Sequence, residues 1–279
     1  MSMDTIRIFV GCAKEHRLAF KVLRHSIQCR TTARVEVYPL NNADGTRPED
    51  AWPDDELADR YRPIMIPVPR DRSQRGATTF SFQRFLIPEL CGDAGRGIYL
   101  DSDQLVLADI SEFWDKPIKE GCSVLKPPGW QSAVMMIDCS HGWRIAKMIR
   151  QIDQKKRTYK GMMNLQNFGP LDESLSPFWN YQDRGRIDYS DFQNAKLVHF
   201  TDMRTQPWLR TGHPVGDVWC LELLDAINAG KIDRQDVRDA VTAGDVRPSL
   251  LKLIGETPPG GDHEFVYPDE RAKGKGLHR

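Results

Sequence analysis

The first forty residues constrain the fold more than any later stretch. Ile6-Arg7-Ile8-Phe9-Val10 is a short apolar run of β-branched and aromatic residues, the pattern of a buried strand. After Gly11-Cys12-Ala13-Lys14-Glu15, Leu18, Val22, Leu23 and Ile27 recur with the periodicity of a helix, and Val35-Glu36-Val37-Tyr38-Pro39-Leu40 then alternates as a second strand. Strands separated by a helix are not a hairpin. Their natural pairing is parallel, and the expectation is an α/β protein built on a parallel sheet.

Further along, Ile64-Met65-Ile66-Pro67-Val68 reads as a short edge strand, because proline cannot donate to a ladder. Residues 41–60, rich in Asn, Asp, Pro and Glu, read as a surface excursion. The pattern predicts a helix over Phe82–Leu90, strands at Ile98–Leu100, Cys122–Leu125 and Ala133–Ile137, and a helix over Trp143–Ile152. A loop follows at Asn164–Gly169 and a late strand at Lys196–Phe200. Helices are expected at Val218–Ala229 and Arg234–Ala243, with a short third at Leu250–Ile254. Pro, Gly and charge dominate from Thr257 onward. The expected division is a catalytic unit over 1–215, a helical extension over 216–256 and a mobile tail over 257–279.

Charge excludes some functions. Lys and Arg balance Asp and Glu at a formal net charge of zero, so no global field favours nucleic acid or an anionic membrane. No apolar run approaches the roughly 20 residues of a spanning helix. The early strand leaves no room for a signal peptide, and the six cysteines form no Cys-x-x-Cys pair. Reduced thiols and a cytoplasmic location are expected, compatible with peripheral attachment at the inner face of a membrane.

Gly97-Ile98-Tyr99-Leu100-Asp101-Ser102-Asp103 runs an apolar strand into two carboxylates one residue apart. If the chain stays extended, both project to one side, about 7 Å apart at Cα. Hard oxygen donors at a strand's carboxyl end suit a divalent cation that keeps positions open for phosphate. A lone Asp-x-Asp is also an ordinary turn former.

Several separated segments line up around it: Thr78–Leu90 before the acidic strand, Gln104–Trp114 after it, then Trp130–Asp138, Leu175–Asn180, His199-Phe200-Thr201 and Pro207-Trp208. Together they resemble the family-8 glycosyltransferases, which include bacterial lipopolysaccharide galactosyl- and glucosyltransferases and glycogenin. The likeness runs in order from residue 6 to 208, and the block 78–114 is its specific part. It implies a single Rossmann-like A-type glycosyltransferase domain with a mixed, mainly parallel sheet, and retaining transfer of a hexose from a nucleotide sugar to a glycan, lipid or protein. It also implies Mn²⁺, with Mg²⁺ as substitute, held by Asp101, Asp103 and His199. That mixed donor set suits Mn²⁺ better than Mg²⁺.

By the same resemblance Val10, Gly11, Arg84, Ser102, Gln131, Ser132 and Arg204 face the donor, and Gln166, Asn167 and Asp172 lie near the anomeric carbon, with Glu173 beside them. The plain alternative for Arg84 is a surface side chain paired with Glu89. Two departures stand out. The stretch after the first strand lacks the aspartate that reads uracil in many relatives, and Gln206 stands where they carry a lysine, leaving Arg204 as the nearest cation. A carboxylate nucleophile would support double displacement, whereas front-face substitution needs only an amide to stabilise the oxocarbenium-like state.

Other conspicuous residues have simpler explanations. Trp143, Trp179 and Trp219 read as core anchors, and His16, His25, His141 and His213 have no spaced acidic partner. Two rival functions are a haloacid-dehalogenase-type phosphatase and a non-catalytic sugar-nucleotide-binding protein. The phosphatase motif normally has Thr or Val where this chain has Leu105, and it opens its domain, whereas here a β-α-β unit precedes it.

Overall fold

The computed structural model describes residues 5–40, 66–76, 78, 80–129, 132–183 and 188–258. Among the described residues the strands are β1 (Ile6–Gly11), β2 (Val35–Leu40), β3 (Arg96–Asp101), β4 (Gln104–Val106), β5 (Val124–Leu125), β6 (Val134–Asp138), β7 (Leu171–Asp172), β8 (Tyr181–Gln182) and β9 (Leu197–His199). Six of them form one sheet in the order β2-β1-β3-β6-β5-β7, and β4-β9-β8 form a second. The β1–β2, β1–β3 and β5–β7 pairs are parallel and only β6 runs against its neighbours. The mainly parallel sheet is as the β-α-β opening requires.

Alternation along the strands divides the core into two layers. Phe9, Tyr99, Met135 and Ile137 face one side, where Phe82, Phe85, Leu86, Ile87, Trp143 and Phe168 cover them. Ile8, Val10, Ile98, Leu100 and Met136 face the other. The helix α1 (Arg17–Gln28) covers that second face through Phe20, Leu23 and Ile27. Its Leu18, Ala19 and Val22 turn instead toward a third cluster built by the C-terminal helices and the small sheet. Fully burying each large apolar side chain stabilises by about 1.5–3 kcal/mol, so α1 is held from both sides.

The remaining helices are α2 (Ile87–Leu90), α3 (Ser111–Trp114), α4 (Ile145–Asp153), α5 (Tyr159–Met163), α6 (Tyr189–Phe192), α7 (Gly216–Asn228) and α8 (Arg234–Thr242). A 3-10 segment over Pro248–Ile254 stands where the short third C-terminal helix was expected. The predicted helix over Phe82–Leu90 is split, with a 3-10 turn over Gln83–Leu86 before α2. Pro88 lacks the N–H that would bond four residues back, so one continuous α-helix would lose a hydrogen bond there. The expected strand over Ile64–Val68 lies partly outside the described residues, and Ile66–Val68 are buried or half-buried but not in a ladder. The surface excursion at 41–60 and the tail from 259 fall outside the described residues. Trp143, Trp179 and Trp219 are buried core residues. No helix among the described residues is long and apolar enough to cross a membrane.

Candidate metal centre

The acidic pair sits where the chain leaves the large sheet for the small one. β3 ends at Asp101, Ser102 and Asp103 form a turn, and β4 starts at Gln104. The pair is therefore not extended as the strand pattern suggested; the turn makes the carboxylates converge. Antiparallel pairing sets Gln104 opposite His199 on β9, and the Phe200 amide donates to the Asp103 carbonyl at 2.9 Å. This register delivers His199 to the acidic turn. One ligand atom from each of Asp101, Asp103 and His199 lies within 4.8 Å of the other two.

Each member is held by its own partners. Asp101 Oδ1 accepts from the Tyr99 hydroxyl at 2.5 Å and from Arg84 Nη2 at 3.2 Å, and the Asp101 amide donates to Gln104 Oε1. Burial keeps the Tyr99 phenol protonated well beyond its usual range, so it remains a donor. Space for that hydroxyl exists because residue 11 is glycine. A Cβ on Gly11 would stand 2.2 Å from Tyr99 Oη. On β9, His199 Nδ1 donates to Asn180 Oδ1 at 2.9 Å, which leaves the Nε2 lone pair pointing inward, 3.2 Å from Asp103 Oδ1.

Asp103 Oδ1 is buried and receives no hydrogen bond, while Oδ2 accepts from Gln206 Nε2 at 3.3 Å. The pair of Asp103 Oδ1 and His199 Nε2 requires a positive charge between the two atoms, supplied either by a proton on Nε2 or by a metal ion in its place. The titration tendencies agree. Burial pushes the Asp101 carboxyl up against the opposing charge of Arg84, with Asp103 pushing it further. Burial disfavours charge on His199, but Asp103 and Asp101 outweigh it and raise its basicity. An orphaned oxygen, a second carboxylate and an oriented imidazole fit a divalent cation with open positions.

The donor residues named from sequence are not equally placed. Arg84 is buried, not a surface partner of Glu89. Its Nε donates to the Ser81 carbonyl and its Nη1 to the Ser132 carbonyl and hydroxyl, while its Cζ lies 4.5 Å above the Tyr99 ring. Glu89 accepts from the Ile145 amide instead. Of the five N–H groups of a guanidinium, the Asp101, Ser81 and Ser132 contacts leave little for a ligand. Ser132 thus reaches the centre through Arg84; Gln131 lies outside the described residues.

Val10 and Gly11 are buried in the sheet, with the Gly11 carbonyl accepting from the Ser102 amide, and Ser102 Oγ faces His16 Nδ1 at 3.1 Å. Arg204 is exposed on the turn after His199 and pairs with Asp202 at 3.1 Å. Gln206, noted from sequence only as a departure, is buried against Asp103 and the Phe200 carbonyl.

Of the three residues expected near the anomeric carbon, Asp172 lies on β7 of the large sheet. β7 is three strands from β3, about 14 Å at ordinary strand spacing. There Asp172 is buried and both its oxygens are engaged, Oδ1 with the Ser174 amide and Lys119 Nζ, Oδ2 with the Lys119 amide. Burial is outweighed by these bonds, which hold its carboxyl below the usual range. This is a buried carboxylate built into the sheet edge, with both oxygens engaged in holding it there. Gln166 and Asn167 are exposed, and their carbonyls accept from Arg157. Glu173 is half-exposed beside the buried Lys126, whose Nζ donates to it at 2.6 Å and to the Pro127 and Gly129 carbonyls. Tyr99, Gln104, Asn180 and Gln206 support the centre and were not singled out from sequence. Gln104 and Asn180 carried a signal only as members of the Gln104–Trp114 and Leu175–Asn180 segments, Tyr99 as part of the acidic strand, and Gln206 as a departure.

No protein-family model matches the chain. A stretch of 109 residues is 36% identical to Protein CDI of Arabidopsis thaliana, covering 39% of this chain and 36% of that protein, so the chain matches about a third of its curated relative's length. Among solved structures, the bifunctional glycosyltransferase WbbM superposes with TM-score 0.56 at 12% identity, over 78% of this chain and 49% of that one. The galactosyltransferase LgtC, solved with donor and acceptor sugar analogues, gives 0.55 at 12% identity, over 81% of this chain and 100% of that one. GlyE of Streptococcus pneumoniae TIGR4, also a glycosyltransferase, gives 0.52 at 16%, over 78% and 61%. The architecture is that of the A-type glycosyltransferase fold.

Proposed function

We propose that this chain is a metal-dependent, retaining glycosyltransferase that moves a hexose from a UDP-linked donor to a glycan, lipid or protein acceptor. The observation that carries this reading is the buried Asp103 Oδ1, without a hydrogen bond and facing His199 Nε2 beside Asp101. It lies outside the carboxyl ends of the parallel strands, where open α/β sheets bind their ligands. LgtC, which shares the fold, was solved with donor and acceptor sugar analogues, and that supports the same pair of partners here.

Asp101, Asp103 and His199 would hold Mn²⁺ or Mg²⁺, which supplies Lewis-acid neutralisation of the charge building on the departing diphosphate. Asn180 fixes the imidazole tautomer and Arg84 fixes Asp101 against the 132–133 wall. Arg204 would leave Asp202 to reach the diphosphate. With Asp172 buried and both its oxygens engaged in the sheet edge, retention would proceed on the front face, the departing phosphate taking the acceptor's proton. The catalytic unit is residues 1–215, working in the cytoplasm.

A non-catalytic sugar-nucleotide-binding protein is the second reading. It draws on Gln206, which spends its amide on Asp103, and on Arg204, which is tied to Asp202. Turnover of UDP-glucose and UDP-galactose with Mn²⁺, with and without chelator, decides between them. Chelator-sensitive release of UDP is expected; Mn²⁺-dependent UDP binding with no turnover selects the second reading, and UDP binding indifferent to chelator overturns the metal assignment. A β-linked product from an α-linked donor would overturn retention.

A further inference from the structure

A second trio of metal-ligating side chains lies far from the acidic turn. His25, in the last turn of α1, and Cys29, the residue that caps it, are four residues apart and hence stacked on one face. The Cys29 amide still bonds to the His25 carbonyl at 2.9 Å, so the helical geometry holds across the pair. Opposite them, α7 contributes Glu222, buried to 3% exposure. His25 Nδ1 stands 2.6 Å from Glu222 Oε1, and Cys29 Sγ stands 3.5 Å from the same oxygen. Arg30 Nη2 holds the other carboxylate oxygen at 2.6 Å, and Nη1 reaches Cys29 Sγ at 3.0 Å.

We propose that His25, Cys29 and Glu222 form a Zn²⁺ site joining the C-terminal helices to α1. The donor set differs from that of the acidic turn. One imidazole nitrogen, one thiolate and one carboxylate oxygen match zinc and not the hard, oxygen-seeking cations. Two of the three ligand separations are close to what zinc needs, and the third lies within 4.8 Å. Tetrahedral bonds of about 2.3 Å to sulfur and 2.0–2.2 Å to nitrogen and oxygen set ligands roughly 3.6 Å (S to O) and 3.3 Å (N to O) apart. The sulfur–oxygen separation is already right, and rotating the Glu222 carboxylate widens the nitrogen–oxygen one by about 0.7 Å, a distance within one side-chain torsion.

Cys29 is exposed, which gives an ion a route in and a water the fourth position. Arg30 keeps Oε2 occupied, so that Oε1 alone is presented, the role an outer partner plays at a metal centre. Binding is balanced when the Cys29 thiol proton is released to solvent and the His25 proton moves from Nδ1 to Nε2. One thiolate and one carboxylate then match the ion's two charges, and the Arg30 guanidinium leaves the site with one net positive charge. A polar staple between α1 and α7 would need none of this, and the two readings separate experimentally.

Cobalt(II) is the probe, added to the full chain. The expected result is a thiolate-to-cobalt charge-transfer band in the near ultraviolet that persists in Asp103→Ala and vanishes in Cys29→Ser. Zinc should compete it away, release about one proton per ion, and raise the unfolding midpoint by about 5 °C at a hundredfold excess over Kd. Cys29→Ser, an exposed and near-isosteric change, should weaken zinc at least tenfold while leaving the zinc-free midpoint unmoved. No band, a band that survives Cys29→Ser, or zinc affinity indifferent to that change overturns the proposal.

Discussion

The two clusters at opposite ends of α1 have the same number of candidate ligands and opposite electrostatics. At the acidic turn, two carboxylates share one guanidinium and an imidazole, and the Asp103 oxygen facing that imidazole has no other partner. At the α1–α7 joint one carboxylate is shared by Arg30, His25 and Cys29, and both its oxygens are bonded. A site short of positive charge waits for a cation to complete it, whereas a saturated one must first give up bonds it already has. The difference teaches that equal ligand counts can carry unequal readiness: the acidic turn takes an ion into unmet valence, the α1–α7 joint only by exchanging bonds it already makes.

Asp103→Ala is the strongest test of that contrast. It should abolish the coupling between Mn²⁺ and UDP measured by calorimetry, together with all transfer, while Cys29→Ser leaves both intact. Equal damage from the two changes would erase the distinction between the sites. Next in size is Asn180→Ala, which frees the His199 tautomer without touching the metal. A loss of about 10–100-fold in Mn²⁺ affinity is expected, and an unchanged affinity would mean that Asn180 does not orient the ring.

The pH response should have opposite signs at the two ends. Burial pushes Glu222 up, but Arg30 and His25 outweigh it and leave the carboxyl below its ordinary value. Its stabilisation is complete above the unfolded glutamate value near 4.3 and is lost as pH falls through the lower folded one. Glu222→Gln should cost about 2–3 kcal/mol at neutral pH and progressively less in acid. His199, raised in chelator-treated protein, contributes stability that is complete below the ordinary histidine value near 6.5 and is lost as pH rises through the folded value. The advantage of wild type over His199→Gln should therefore shrink toward alkali. Urea titrations across pH check both, and parallel slopes would break the comparison.

The smallest effect belongs to Arg204→Ala. Its side chain is 80% exposed, so stability should move by less than about 0.5 kcal/mol. UDP affinity should fall a few-fold in low salt and hardly at all in high salt. No change in low salt removes Arg204 from the donor residues.

What the sequence could reveal followed the range over which its signals act. β1, α1 and β2 were legible because each carries its own periodicity, and the acidic pair because its two members are one residue apart. β7 and β8, two residues each, are too short to show alternation. Tyr99 read as one more apolar strand residue, since nothing local says that its hydroxyl meets Asp101. Gln206 registered only as the absence of a lysine, and its partner is 103 residues away. His25 and His213 were passed over for want of a spaced acid; their acids are Glu222 and Asp183, 197 and 30 residues off. Asp172 and Gln166 followed from the family resemblance alone, in a stretch where no periodicity fixes the direction of a side chain.

The contact between residue 11 and the Tyr99 hydroxyl gives the history of this chain a direction. Any side chain at position 11 meets that hydroxyl at 2.2 Å, and the ring carbon beneath it at 3.0 Å. While tyrosine is present, a lineage cannot leave glycine without displacing the group that steadies Asp101. Loss of the hydroxyl first, as in Tyr99→Phe, removes the worst of the overlap and with it the reason to keep the gap. The two positions are therefore bound in order as well as in space: position 99 opens the door, and position 11 can change only after it. Among descendants of such a chain, a residue with a side chain at position 11 should be found with a shortened one at position 99. The rare combination should be Gly11→Ala in a chain that keeps Tyr99.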